Sequence, residues 1–198
     1  MKKLLLTAAV AAAALFPGTA LAGTFTGVVV GKDGGNVAVA GKAGLVRTVH
    51  TTANVGLGAR VRVTGTTVRL IGRAHRARIH AVVIKRVGNT TFLAAGRSLL
   101  AVHSASGRRL ASIAGSGPST GAVVNTTVGI SGGQMTQQAI QVVGQTGSVT
   151  VQAPVTAVGP GTITVTVNGQ PFTINLPAGI QLPASLVGQN VTLNLSLA

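Results

Sequence analysis

The chain has 198 residues, with 16 Lys or Arg against a single acid, Asp33, and no cysteine, so its formal charge is +15. One acid leaves no carboxylate pair for general acid–base or glycosidic chemistry. The missing thiols leave no disulfide, cysteine nucleophile, Cys-ligated metal or lipidated cysteine.

The first 22 residues carry the grammar of a secretory leader. Lys2 and Lys3 precede an apolar run from Leu4 to Phe16, Pro17-Gly18 breaks it, and Ala20-Leu21-Ala22 supplies small residues for cleavage after Ala22. That run is too short to span a bilayer, and no later stretch reaches the ~18 apolar residues a spanning helix needs. The expectation is a signal peptide at 1–22 and a secreted, extracellular or cell-envelope-associated protein without a transmembrane segment. After the leader the only aromatic residues are Phe25, Phe92 and Phe172. Any core must rest mainly on Val, Ile, Leu, Ala and Thr methyl groups.

Downstream, strand signals dominate. "GVVVGKDGGNVAVA" (27 to 40) reads as strand, turn, strand, with Asp33-Gly34-Gly35-Asn36 suited to a hairpin turn. Val46-Arg47-Thr48-Val49-His50 follows, then a return in "LGARVRV" (57 to 63). The same grammar recurs from Val82-Val83-Ile84 to Leu100-Ala101-Val102-His103, returning in "TGAVVNTTV" (120 to 128). It recurs once more in "VTAVGPGTITVTVNGQPFTINL" (155 to 176), returning in "VGQNVTLNL" (187 to 195). Thr162, Thr164 and Thr166 alternate there with Ile163, Val165 and Val167, the period of a half-buried strand.

These repeats predict an all-β protein of three tandem units at 23–77, 78–144 and 145–198, with a polar insertion at 104–120 in the second. Three strands, a connection and a returning strand suggest small Greek-key barrels of the OB type. "ARIHAVV" (77 to 83) is expected to close the first unit while running into the second, and "QQAIQVV" (137 to 143) to do likewise for the second. "SVTVQ" (148 to 152) is expected to cover the open edge of the third. The pattern resembles an uncharacterised bacterial family of small secreted OB-like barrel domains, often arranged in tandem behind a signal peptide. That resemblance implies a fold and a compartment, and no catalytic residue.

All 14 Lys and Arg residues beyond the leader lie between Lys32 and Arg109, and no charged side chain follows. The densest stretch is "IGRAHRARIHAVVIKR" (71 to 86). On strands, Arg60 and Arg62 share one face, as do Arg76, Arg78 and His80, with apolar residues behind. Arg60, Arg62, Arg73, Arg76, Arg78, His80, Lys85 and Arg86 therefore form the candidate polyanion-binding set. The bland alternative is that these charges only solvate strand faces.

Enzymatic chemistry is not expected. Asp33 reads as a turn residue, and Ser104 beside His103 points to the opposite face of a strand. No metal or other cofactor is expected either, because His75 and His80 lie about 16 Å apart on a strand. His50 and His103 hold matching repeat positions and suggest a shared structural role. The favoured reading is a non-enzymatic envelope-associated module contacting anionic cell-envelope polymers, with no specific small-molecule substrate. The alternatives are a structural protein that self-associates through its neutral C-terminal sheet edge, and an extracellular nucleic-acid binder. The last lacks the aromatic platforms that single-strand binding uses.

Overall fold

A computed structural model of the chain describes residues 8–11, 23–33, 35–104, 117–177 and 179–197. The expected leader lies outside these residues except for Ala8–Ala11, and so does most of the 104–120 insertion. The described residues are all-β in two sheets, of five and ten strands, with one 3-10 turn at Ala184–Leu186. Among them, no helix is long and apolar enough to cross a membrane.

After β1 (Ala8–Ala11), the first sheet contains β2 (Thr24–Asp33), β3 (Asn36–Gly41), β4 (Val46–His50), β5 (Ala59–Thr64) and β6 (Thr67–Arg73), in the order β4-β3-β2-β5-β6. The middle of the chain supplies β7 (Arg76–Val87), β8 (Thr90–Ala95), β9 (Ser98–Ser104), β10 (Ala122–Ser131) and β11 (Gln134–Gln145). The last part supplies β12 (Ser148–Gly159), β13 (Thr162–Val167), β14 (Gln170–Asn175) and β15 (Asn190–Ser196).

One device organises all three parts. A long leading strand bends at a bulge and serves a different partner on each side of the bend. β2 pairs with β5 through Thr24–Val28 and with β3 through Gly27–Asp33, with the irregularity between Val29 and Gly31. β7 pairs with β10 through Arg76–Val82 and with β8 through Val82–Val87, shifting between Val83 and Lys85. β12 pairs with β15 through Ser148–Pro154 and with β13 through Val155–Gly159, shifting between Val155 and Ala157. Bulges bend and twist a strand, which lets one strand turn from one ladder to the next. At the first two bends Val30 and Ile84 are fully buried; at the third, exposed Thr156 donates to the Thr164 carbonyl at 3.1 Å.

Three sequence expectations change. The fifth strand of the first sheet is β6, not 77–83, because Gly65 at φ 58° lets the chain reverse directly after β5. Strand β7 pairs with β8 and β10, and among the described residues no ladder joins β4 to β6. "SVTVQ" does cover β15, but it is continuous with the strand that follows rather than separate from it. The middle and last parts also share one sheet, through the parallel bridge Gln152–Ser98. In the middle part β11 pairs with β10 and, in parallel, with β9 at two positions only, Thr136–His103 and Gln137–Ser104, and no clear barrel is formed among the described residues.

The cores straddle these parts. Val29, Val37, Val39, Val49, Val61 and Val63 fill the first sheet's own cluster. Val30, Ala38, Ala40 and Val46 turn the other way and pack with Ile79, Val83, Leu93, Leu100, Val128 and Met135 of the middle part. Ile84, Phe92, Ala94, Leu99 and Ala101 pack in turn with Val151, Ile163, Val165, Phe172 and Leu193 of the last. The Phe92 and Phe172 rings meet there with centroids 4.7 Å apart and planes tilted by 39°.

The first seam is closed by Gly96 in the β8–β9 turn. Its φ is 60°, and a Cβ there would lie 2.5 Å from the Val46 carbonyl oxygen. Gly96→Ala combines left-handed strain with a collision against another part's backbone. Its expected cost is about 2 kcal/mol or more by urea denaturation. A change within about 0.5 kcal/mol, the range of an unremarkable surface substitution, would show that the seam yields freely.

Candidate anion-binding groove

The basic stretch lands where the first sheet meets β7. In β5, Ala59, Val61 and Val63 are buried while Arg60 and Arg62 are exposed; in β7, Ala77 and Ile79 are buried while Arg76 and Arg78 are exposed. This is period-2 segregation of charge from core. The connection between β6 and β7 is only Ala74-His75, and it is held at both residues. The Ala74 amide donates to the Gly58 carbonyl at 2.8 Å, and the Ile130 amide donates to the His75 carbonyl at 2.8 Å. Gly58 is itself anchored, donating to the Val29 carbonyl at 2.9 Å, and the His80 amide reaches the Gly44 carbonyl at 2.8 Å. Arg73 and Arg76 thus flank a short, backbone-bonded crossing.

The result is an open groove of about 410 Å³. Its floor is small and apolar, from Gly27, Val28, Ala40, Ala74 and Ala77, and its walls carry Lys42, Arg60, Arg73, Arg76 and Arg78. Gly27 is required at the floor, because a Cβ there would lie 2.5 Å from the Ala40 carbonyl oxygen. No acid lines the groove; Asp33, the chain's sole carboxylate side chain, lines a different cavity. Five cations converging without an acid form a local positive field, relieved when an anion with several charges enters.

The groove gathers Arg60, Arg73, Arg76 and Arg78 from the expected set and leaves out the rest. Arg62 shares the face of Arg60 and sits directly opposite Arg69 on β6, two like charges side by side at the groove's shoulder. The His80 imidazole Nδ1 pairs with Asn125 Oδ1 at 2.7 Å. Lys85 and Arg86 lie beyond the β7 bulge, about 30 Å along the strand from Arg76. Arg86 there donates to Ser104 Oγ at 3.4 Å. Lys42 was absent from the expected set, because it comes from the β3–β4 turn and nothing in its neighbourhood announces where that turn lands.

His50 and His103 are also cross-strand partners. His50 Nδ1 meets Asn36 Oδ1 at 3.3 Å, and His103 Nδ1 meets Thr90 Oγ1 at 3.1 Å, each opposite its ladder neighbour. Among the described residues no group of three or more His, Cys, Asp or Glu side chains could hold a metal ion. Phe92 and Phe172 are buried, whereas Phe25 is partly exposed with the Arg47 guanidinium 4.9 Å from its ring centroid.

Asp33 lines a small cavity of about 30 Å³ where the three parts meet, together with Asn36, Thr48, Ser98, Gln152, Asn168 and Asn190. Thr48 and Ser98 hydroxyls bond across it at 2.7 Å, and Asn168 Nδ2 donates to the Val30 carbonyl at 3.5 Å. Burial pushes the Asp33 carboxyl up to about 6. A carboxyl raised on folding is held protonated longer in the folded state, so stability falls as pH rises from about 4 to about 6. The group is half-exposed, and solvent screening limits the effect to about 1 kcal/mol. The thermal midpoint of the wild type is expected to drop across that window, while Asp33→Asn stays flat. Parallel curves for the two proteins would assign the pH dependence elsewhere.

No family model, curated protein or solved structure matches the chain.

Proposed function

We propose that the protein is a secreted, non-enzymatic β-protein that binds anionic cell-envelope polymers in the groove between its first sheet and β7. The observation that carries this reading is the convergence of Lys42, Arg60, Arg73, Arg76 and Arg78 on one open groove without an acid. A solvated strand face needs no such convergence; it would scatter its charges. The groove is open rather than enclosed, which suits a chain passing through better than a small molecule held inside. Export, read from the leader and its cleavage after Ala22, places envelope polymers within reach and intracellular nucleic acid out of reach.

An OB-like plan belongs to the same proposal. A bent leading strand, a three-strand meander and a strand returning to the leading strand recur three times, and in the middle part the fifth strand pairs back to the third. Nucleic-acid binding by such folds relies on exposed aromatic faces. Two of the three phenylalanines after the leader are buried against each other. Phosphate- or carboxylate-bearing envelope polymers are therefore the favoured partners.

The test is binding of the exported protein to immobilised polyglycerol phosphate, polyuronate and single-stranded DNA across a salt titration. Beside it run a groove variant (Arg60, Arg73, Arg76 and Arg78 each→Gln) and a distal control (Lys85 and Arg86 each→Gln). Loss in the first with retention in the second supports the groove. No binding by the wild type at low salt, or losses in the two variants in proportion to the charges each removes, overturns it.

A further inference from the structure

We propose that the outer edge of β15 is a pairing surface for a second copy of this chain, the two β15 strands joining antiparallel about a two-fold axis at Leu193. In an antiparallel ladder each residue directs its N–H and C=O to the same neighbour, and successive residues alternate. The Leu197 amide donates to the Gly147 carbonyl at 2.7 Å, and the Gln189 carbonyl accepts from the Val155 amide at 2.9 Å. Val191, Leu193 and Leu195 therefore address β12, and Asn190, Thr192, Asn194 and Ser196 direct their backbone groups to the other side.

Among the described residues, that other side is met only by β1, through pairs from Ala8–Leu195 to Ala11–Thr192. These four residues belong to the segment read as a cleaved leader, and the proposal rests on that reading. Removing them leaves a row of unpaired backbone groups, a template for another strand.

The other outermost strands, β4, β6 and β14, carry devices that discourage pairing, and β15 carries none. Edge strand β6 has Arg69, Arg73 and a bulge opposite Arg60–Val61; β4 carries Arg47; β14 contains Pro171. β15 has no charge, no proline and no irregularity in its ladder to β12. No charged side chain lies anywhere after Arg109. Meeting at β15 therefore brings two strongly cationic chains together through their neutral ends.

The strand is also complementary to itself. Pairing about Leu193 sets Leu193 against Leu193, Val191 against Leu195, and Thr192 against Asn194, keeping apolar residues on one face and polar residues on the other. Thr–Asn already pairs this way within the chain, where Thr150 Oγ1 donates to Asn194 Oδ1 at 2.7 Å. Even-numbered residues would exchange their free backbone bonds, so a second β15 takes the same backbone groups that β1 takes.

The experiment is sedimentation of the protein exported with its own leader, its N-terminus read by mass, beside the uncleaved chain. At about 50 μM, where even small interfaces are populated, the exported form is expected at twice the chain mass and the uncleaved form at the chain mass. Thr192→Pro removes one outward N–H without touching the β12 ladder. Thr192→Lys with Asn194→Lys leaves the backbone intact but sets lysines directly opposite each other. Both variants are expected to sediment as monomers with unchanged circular dichroism, and the double-lysine variant decides the matter if the proline variant misfolds. A monomeric exported wild type, or a dimer that survives the lysine pair, overturns the proposal. Polyanion binding is read separately, so its failure would leave this result standing. An N-terminus other than Gly23 would locate the failure in the leader.

Discussion

Phe172→Ala is expected to destabilise the chain by about 3 to 5 kcal/mol, the range for removing a buried aromatic side chain. Phe172 is 2 % exposed and touches Phe92, itself 3 % exposed, at a centroid separation of 4.7 Å. Its neighbours belong to strands held by ladders on both sides, so the cavity can collapse only partly. A chain of this size loses roughly 2 to 4 °C of thermal midpoint per kcal/mol, which puts the expected drop near 10 °C. Because the two rings come from different parts of the chain, Phe92→Ala tests the seam as well. Combined in one chain, the two substitutions should cost less than their sum by about 0.5 to 1.5 kcal/mol, the worth of an aromatic pair beyond its burial. Strict additivity, with either single cost below about 1 kcal/mol, would mean that the rings do not hold the two parts together.

The second large effect is electrostatic. Each phosphate contact contributes about 0.7 to 0.9 to the slope of log affinity against log salt. The groove variant removes four of five cations, and its slope should fall by roughly three if each contacts the polymer. At low salt its affinity should drop about 100-fold or more, while the Lys85 and Arg86 control changes little. The slope separates a specific groove from a diffuse field. If the charges act only through net positive charge, both variants lower affinity in proportion to the charges removed. Rising salt should weaken wild-type binding to whichever of the polymers it binds, since counterion release drives the association.

Much of the strand plan was legible in the sequence. Alternation in Ala59–Thr64 and Thr162–Val167 reports one buried face, and Gly-containing turns mark most reversals. What escaped followed rules that alternation does not encode. In β6 only Val68 is buried, so "TVRLIGR" shows no period although it is a strand; it lies at an edge, and nothing covers its second face. Pro154 reads as a break, yet β12 runs through it. The Gln152 amide donates to Arg97 on the β9 side while the Val155 amide donates to Gln189 on the β15 side. Position 154 therefore directs its nitrogen toward β9, where β12 makes only the bridge at Gln152, and the missing N–H breaks no bond of the β15 ladder.

The candidate site was legible by half for a similar reason. Arg60, Arg76 and Arg78 could be assigned to outward faces from their apolar neighbours, and Arg73 from its place beside them. That the two strands would face each other across a groove depended on Val30, Ala38, Ala40 and Val46 packing on the middle part. Lys42 and the exclusion of Lys85 and Arg86 follow from turn placement and from the β7 bulge, which redirects everything after Val83.

The straddling cores bear on how such a chain can change. Beads on a string can be added, lost or exchanged singly, because each keeps its own interior. Here Val30 packs in one cluster with residues of the middle part, and Ile84 in one cluster with residues of the last, so neighbouring interiors are partly shared. Excising one part would open an apolar wall on its neighbour, and grafting in a foreign one would require that wall to be recut. The seams therefore tie the parts to one another, and the groove with its five cations opens along the first of them, between the first sheet and β7.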